Sequence, residues 1–187
     1  NVSHEIRPPV TNMMHYNELD ARAIRERVDM SQLWDAWISA DDLRRHSFRG
    51  SLGWEVRSGH EYLYSRKRGV VKSLGPRSPD TEQIHRAFHQ GRDANKARLA
   101  ALSTEMERQA AVLRSLNAGR LPIMAARTLR ALRTHDKGAT IRVIGTNALY
   151  AYESLAGVVF NTESTATGDV DILVDDRNRL RLLTDAD

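Results

Sequence analysis

The sequence predicts an α+β protein: a helical N-terminal part, a small β-meander, a long helix and a C-terminal α/β part. Three observations carry that expectation. Apolar residues recur every three or four positions through about residues 16–45 and again through 79–116, the period of helices with one buried face. Between them, residues 52–74 hold Trp54, Val56, Tyr62, Tyr64, Val70 and Val71, broken by Ser58-Gly59 and by Arg66-Lys67-Arg68-Gly69. Beyond residue 140, short apolar runs at 141–144 and 170–174 flank a second helical pattern.

The elements follow in order. The first dozen residues, with Pro8-Pro9, read as an extended lead-in. Leu19, Ala23, Ile24 and Val28 predict one helix, and Leu33, Trp34, Trp37 and Ile38 predict a second that Ser31 would cap. Trp34 and Trp37 on one face suit a core better than a ligand-stacking surface, because large aromatics bury. The meander ends at Leu74-Gly75-Pro76. Ser78-Pro79 then has the form of an N-cap followed by proline at the first helical position, with Asp80 and Glu82 where the helix dipole favours them.

From Ile84 to Leu116 a one-sided apolar seam predicts a long helix, with Gly91 as its weak point and Asn117-Ala118-Gly119 as its end. A seam of this length suits a partner helix, a neighbouring domain or a homo-oligomer. His85 and His89, spaced i, i+4, could share a metal, but no third ligand accompanies them, and surface histidines are the simpler reading. A shorter helix is expected from about 122 to 134, with Arg120, Arg127, Arg130 and Arg133 making one side basic. Lys137-Gly138 then turns the chain into the strand at 141–144. The implied organisation is an N-terminal helical segment (1–47), a basic meander (48–77), a connecting helix (78–119) and a C-terminal core (120–187).

Composition narrows the class. The chain has 187 residues, 28 Lys or Arg against 24 Asp or Glu, and no Cys, so disulfides and thiolate metal sites are excluded. No stretch approaches the length of a spanning helix, so no membrane partner is expected, and the absence of Cys fits a cytoplasmic protein. The net charge of +4 hides a segregation. Residues 44–77 carry nine Lys or Arg against Glu55 and Glu61, whereas residues 143–187 carry three Arg against eight carboxylates. A polyanion-binding part joined to a cation-gathering part is one reading, and an unevenly charged solvated surface is the other. In the meander, Arg57, Arg66, Lys67, Arg68 and Lys72 interleaved with aromatics are candidate nucleic-acid contacts, for RNA or DNA. Edge protection of a small sheet explains the same charges.

The most informative stretch is Ile141-Arg-Val-Ile-Gly-Thr-Asn-Ala-Leu-Tyr150, followed by Gly168-Asp-Val-Asp-Ile-Leu-Val174. In the first, a strand ends in Gly145-Thr146 and opens a helix, so a phosphate can approach the glycine backbone and the free N–H groups of the helix start. In the second, Asp169 and Asp171 would share one face of a strand while Val170, Ile172 and Val174 point to the core. Paired carboxylates call for a neutralising cation, and Mg²⁺ bridging carboxylates and nucleotide phosphates is the natural one. Asn147 could orient a phosphate or cap the helix. Ser164, Thr165 and Thr167 suit a polar loop, with a substrate role as the alternative.

An apolar residue, Gly and a small hydroxyl residue, followed later by Asp-apolar-Asp-apolar, resembles the nucleotidyltransferases of the DNA polymerase β superfamily. Ile144-Gly145-Thr146 and Asp169-Val170-Asp171-Ile172 match that pattern position by position. The wider wording, with Lys72-Ser-Leu-Gly-Pro-Arg-Ser-Pro-Asp80 upstream, is similar to a largely uncharacterised bacterial family of nucleotidyltransferase-fold proteins, over roughly residues 48–180. The resemblance implies that Asp169 and Asp171 hold two Mg²⁺ ions and the triphosphate, with Gly145 and Thr146 contacting phosphates. The reaction it implies is transfer of a nucleoside monophosphate from an NTP to an acceptor.

Two departures accompany the match. The interval from Gly145 to Asp169 is long, and the family's third carboxylate, on a later strand, has no counterpart. Asp175 and Asp176 come too soon, and Asp185 and Asp187 follow a stretch, 177–183, that reads as a helix. With a start at Asn1, the favoured expectation is a chain whose core is truncated. The alternative is a degenerate scaffold acting as a non-catalytic nucleic-acid-binding or regulatory module.

Overall fold

The computed structural model describes residues 16–135, 141–161 and 169–174. In chain order the elements are β1 (Tyr16–Glu18), α1 (Ala21–His46), β2 (Ser51–Arg57), β3 (His60–Lys67), β4 (Val70–Pro76), α2 (Pro79–Ser115), α3 (Ile123–His135), β5 (Ile141–Ile144), α4 (Thr146–Ala156), β6 (Val158–Phe160) and β7 (Asp171–Val174). The fold is mixed α+β, as the periodicities predict. The chain divides into two compact units, residues 28–112 and residues 1–27 together with 113–187.

One helix stands where two were expected. Asp20 Oδ1 accepts the Ala23 N–H at 2.7 Å, a side-chain cap that starts α1 at Ala21, and residues 16–18 form a short strand instead. Ser31 lies inside α1 and caps nothing, because no proline or glycine interrupts the stretch around it. The helix closes on Arg44, Arg45 and His46, whose charge complements the C-terminal dipole.

Within the unit of residues 28–112, β2, β3 and β4 form an antiparallel meander. Its two-residue turns, Ser58-Gly59 and Arg68-Gly69, have positive φ at both positions, the hairpin geometry that follows strand twist. Leu52 and Leu63 are buried on one face of the sheet, and Trp54 on that face packs against His85 of α2 with ring centroids 5.7 Å apart. His89 Nε2 donates to the Leu52 carbonyl at 2.9 Å, which leaves Nδ1 to accept from Arg92. Both His89 nitrogens are therefore engaged. The two histidines are half-buried packing residues rather than surface ones, and burial, then His89 and Arg77, hold the His85 imidazole below its ordinary pKa.

Ser78 and Thr81 exchange hydrogen bonds at the start of α2, where Ser78 N–H donates to Thr81 Oγ1 at 2.8 Å and Thr81 N–H to Ser78 Oγ at 3.3 Å. Gly91 is no weak point. A Cβ there would lie 2.8 Å from Phe48 Cζ, so the glycine is where Phe48 seats on α2. Asn95 Nδ2 donates to the Ala40 carbonyl at 3.0 Å, and Trp37 Nε1 to Ser103 Oγ at 3.2 Å, joining α1 to α2. Trp34 and Trp37 stack on each other, half-buried, with centroids 5.6 Å apart. The helix ends in a Schellman motif, with Asn117 in the left-handed region and Ala118 N–H bonded to the Leu113 carbonyl at 2.8 Å.

The second unit holds β1 paired with β6, β5 paired with β7, and helices α3 and α4. Its anchor is Glu153 of α4, which is 2% exposed. Glu153 Oε1 accepts from Arg120 and from the Phe160 N–H, while Arg120 also donates to the Phe160 carbonyl at 2.7 Å. Arg27 donates to the Glu153 and Ala118 carbonyls at 2.7 and 3.0 Å. A buried carboxylate is tolerated only when satisfied in this way. The network holds α4 to β6 and to the start of α1.

Candidate active site

The candidate site forms where β5 hands over to α4. Gly145 has φ +66° and ψ −154°, a backbone region open essentially to glycine, and it serves as the N-cap of α4 without a side-chain cap bond. The turn places the amide end of an eleven-residue helix at the end of β5. Ala148 N–H returns to the Gly145 carbonyl at 3.0 Å.

β7 runs antiparallel to β5 and pairs Asp171 with Ile144, the residue before the glycine. That register sets the Asp171 carboxylate directly on the Gly145 backbone. A Cβ at residue 145 would overlap Asp171 Oδ2 and lie 3.1 Å from Cγ. An acidic side chain at a helix N-terminus is electrostatically favoured, and the same amide N–H groups can donate to a phosphate oxygen.

Asp169 lies two residues before β7 rather than within it, and its side chain is exposed, as is that of Asp171. The Asp169 carbonyl accepts a 2.5 Å hydrogen bond from Nδ2 of Asn147. Asn147 is 5% exposed, and its Oδ1 has no hydrogen-bond partner among the described residues. It does not cap α4, since it sits one residue inside the helix. Instead it joins the first turn of α4 to the segment that carries both aspartates. Thr146, also in that first turn, is half-buried.

The structure thus brings Gly145, Asn147, Asp169 and Asp171 together through α4, β5 and β7. Ile172 and Val174, expected in the core, are 36% and 60% exposed, because β5 and β7 pair only with each other among the described residues. Ser164, Thr165, Thr167, Asp175, Asp176, Asp185 and Asp187 lie outside the described residues. No group of three His, Cys, Asp or Glu that could hold a metal occurs among the described residues. The donors present still suit a hard cation: two exposed carboxylates, a cradle without a Cβ, and a buried amide oxygen that has no partner among the described residues. Sequence reasoning missed the Asn147 tie and the Glu153 network. A lone carboxylate among the apolar positions of α4 is the one signal that pointed toward the second.

The basic candidates of the meander divide between faces. Arg57 and Arg66 share a face with Tyr62 and Tyr64, and both pair with Glu55. Lys67 and Lys72 fall on the face that holds Leu52 and Leu63, at its exposed end, and Arg68 lies in the β3–β4 turn. No helix among the described residues is long and apolar enough to cross a membrane.

A family model described as nucleotidyltransferase matches residues 124–187, from α3 through β7, and so takes in Gly145, Thr146, Asp169 and Asp171. The match spans about a third of the chain and agrees with the nucleotidyltransferase resemblance of the Gly-Thr and Asp-x-Asp motifs. No curated protein and no solved structure matches the chain.

Proposed function

We propose that the protein is a nucleotidyltransferase that moves a nucleoside monophosphate from an NTP to an acceptor hydroxyl. The observation that supports it best is the Asp171 carboxylate held against the Gly145 backbone at the α4 N-terminus, inside the segment that matches a nucleotidyltransferase family model. In this reading Gly145 and Thr146 present backbone N–H and hydroxyl donors to the triphosphate. Asp169 and Asp171 hold two Mg²⁺ ions, with phosphate oxygens completing the ligand sets. Bound there, Mg²⁺ neutralises phosphate charge and stabilises the entering and leaving oxygens of an in-line displacement. Asn147 keeps the Asp169 backbone registered with the helix start, so the two carboxylates and the phosphate donors face one substrate.

The acceptor hydroxyl gives up its proton to solvent as its oxygen forms a bond to the α-phosphorus, the bond from that phosphorus to the bridging oxygen breaks, and pyrophosphate leaves. The test is incubation of the full-length protein with α-labelled NTPs, Mg²⁺ and cell-derived acceptors, beside the Asp169→Asn, Asp171→Asn double variant. Labelling that falls by more than a hundredfold in the variant is the expected result. Equal labelling overturns the proposal.

A further inference from the structure

The strand pairings sort the meander's side chains in a way that the sequence does not display. On the face opposite α2, β3 presents His60, Tyr62, Tyr64 and Arg66 in a row. Tyr62 and Tyr64, two residues apart on one strand, stand about 7 Å from each other at ~3.4 Å rise per residue. Gly53 lies across from Tyr64 and leaves the space beside that ring open, since nothing comes within 4 Å of a Cβ built there. Arg57 lies over the Tyr64 ring at 4.9 Å, and the Arg57 and Arg66 side chains are 63% and 47% exposed.

One end of this row is strongly cationic. Gly50, next in sequence to the exposed Arg49, packs against the Arg66 carbonyl, and Arg66, Lys67 and Arg68 are exposed at the β3–β4 hairpin. Residues 47–54 and 65–76 contain no Asp or Glu, and Glu55 is the acidic group that pairs with Arg66. The surface is two half-buried tyrosine rings, one with Arg57 over it, leading into a cluster of positive charge. Rings spaced for successive bases and cations spaced for a backbone fit a single strand, whereas a duplex keeps its base faces stacked away from tyrosines.

We propose that this face of the β2–β3–β4 meander binds single-stranded nucleic acid, stacking bases on Tyr62 and Tyr64 and running the phosphate backbone toward Arg66 on the same face and Arg68 in the β3–β4 turn. The site belongs to the unit of residues 28–112 and does not depend on nucleotidyl transfer.

Fluorescence anisotropy of the full-length protein with labelled twelve-nucleotide single-stranded RNA, single-stranded DNA of the same sequence, and duplex RNA tests it, without NTP or metal. The expected result is single-strand binding that weakens steeply with salt, with duplex bound at least tenfold more weakly. The two single strands report whether the 2′-hydroxyl contributes. Tyr62→Leu, Tyr64→Leu should lose tenfold or more in affinity, because stacking on each ring carries a factor of about five to a hundred. Tyr64→Phe, which keeps the ring, should bind like the parent, and thermal melts identify any variant that fails to fold. Arg66→Ala, Arg68→Ala should lose affinity and flatten the salt dependence. Absent binding, duplex preference, or binding indifferent to the double leucine change but sensitive to the charge change would each overturn the proposal, the last by reducing the surface to general polyanion attraction.

Discussion

Replacing Gly145 by alanine tests the candidate site at the point where backbone and carboxylate meet. At φ +66° and ψ −154°, an L-residue sits in a region that costs about 1–3 kcal/mol. The added Cβ also overlaps Asp171 Oδ2. That carboxylate is exposed and turns away on its side-chain torsions, so the overlap adds little to the stability loss but takes Asp171 from its place at the helix start. The expected result is a destabilisation of about 1–3 kcal/mol in urea titration, with loss of Mg²⁺-dependent nucleotide binding measured by calorimetry. Gly157→Ala is the control. It meets only Ile24 Cδ1 at an ordinary 3.6 Å, again at positive φ, so it should lose stability while keeping nucleotide binding. If the Gly145→Ala protein is as stable as its parent, the backbone argument fails. If it is destabilised but binds nucleotide normally, Gly145 and Asp171 do not form the phosphate end of the site.

Asn147→Leu removes the hydrogen bond to the Asp169 carbonyl while keeping the number and branching of the side-chain heavy atoms. It should cost about 1–3 kcal/mol in denaturant and lower kcat more than it raises KM, and an unchanged kcat in a folded variant would remove Asn147 from any positioning role. Asp41, 1% exposed, accepts from Arg44 at 2.6 and 2.9 Å and from Arg45 at 2.6 Å. Burial alone would raise its pKa, but the two guanidinium groups outweigh it and hold the carboxyl below its ordinary value of 3.8. Its contribution to stability is then fully present above that ordinary value and lost as pH falls through the lower folded one. Asp41→Asn should therefore destabilise the protein at pH 7 and remove this part of the acid dependence, and parallel pH profiles of melting temperature for parent and variant would refute the assignment.

Much of the secondary structure was legible because its signals are local. Ser58-Gly59 and Arg68-Gly69 can close two-residue hairpins through their own φ angles, Ser78-Pro79 caps α2 within one turn, and the strand at 141–144 ends on the glycine that starts α4. The reading failed where a remote or competing partner decides. Residues 16–18 pair with β6, some 140 positions away, which no helical period reveals. Gly91 resembles a helix defect until Phe48 is seen against it.

For the candidate site, the residue types were readable in the sequence: a strand-glycine-helix turn of the kind that meets phosphates and an Asp-x-Asp of the kind that gathers cations. Which of these groups touch follows from long-range strand pairing. The β5–β7 register, set by backbone hydrogen bonds between segments nearly thirty residues apart, puts Asp171 rather than Asp169 on Gly145. A one-residue slip would carry every β7 side chain to the other face, and residue identities do not encode that choice locally. Likewise, the charge of the meander is plain in its composition. Which cations lie with the tyrosines, and which with the leucines, follows from strand pairing alone.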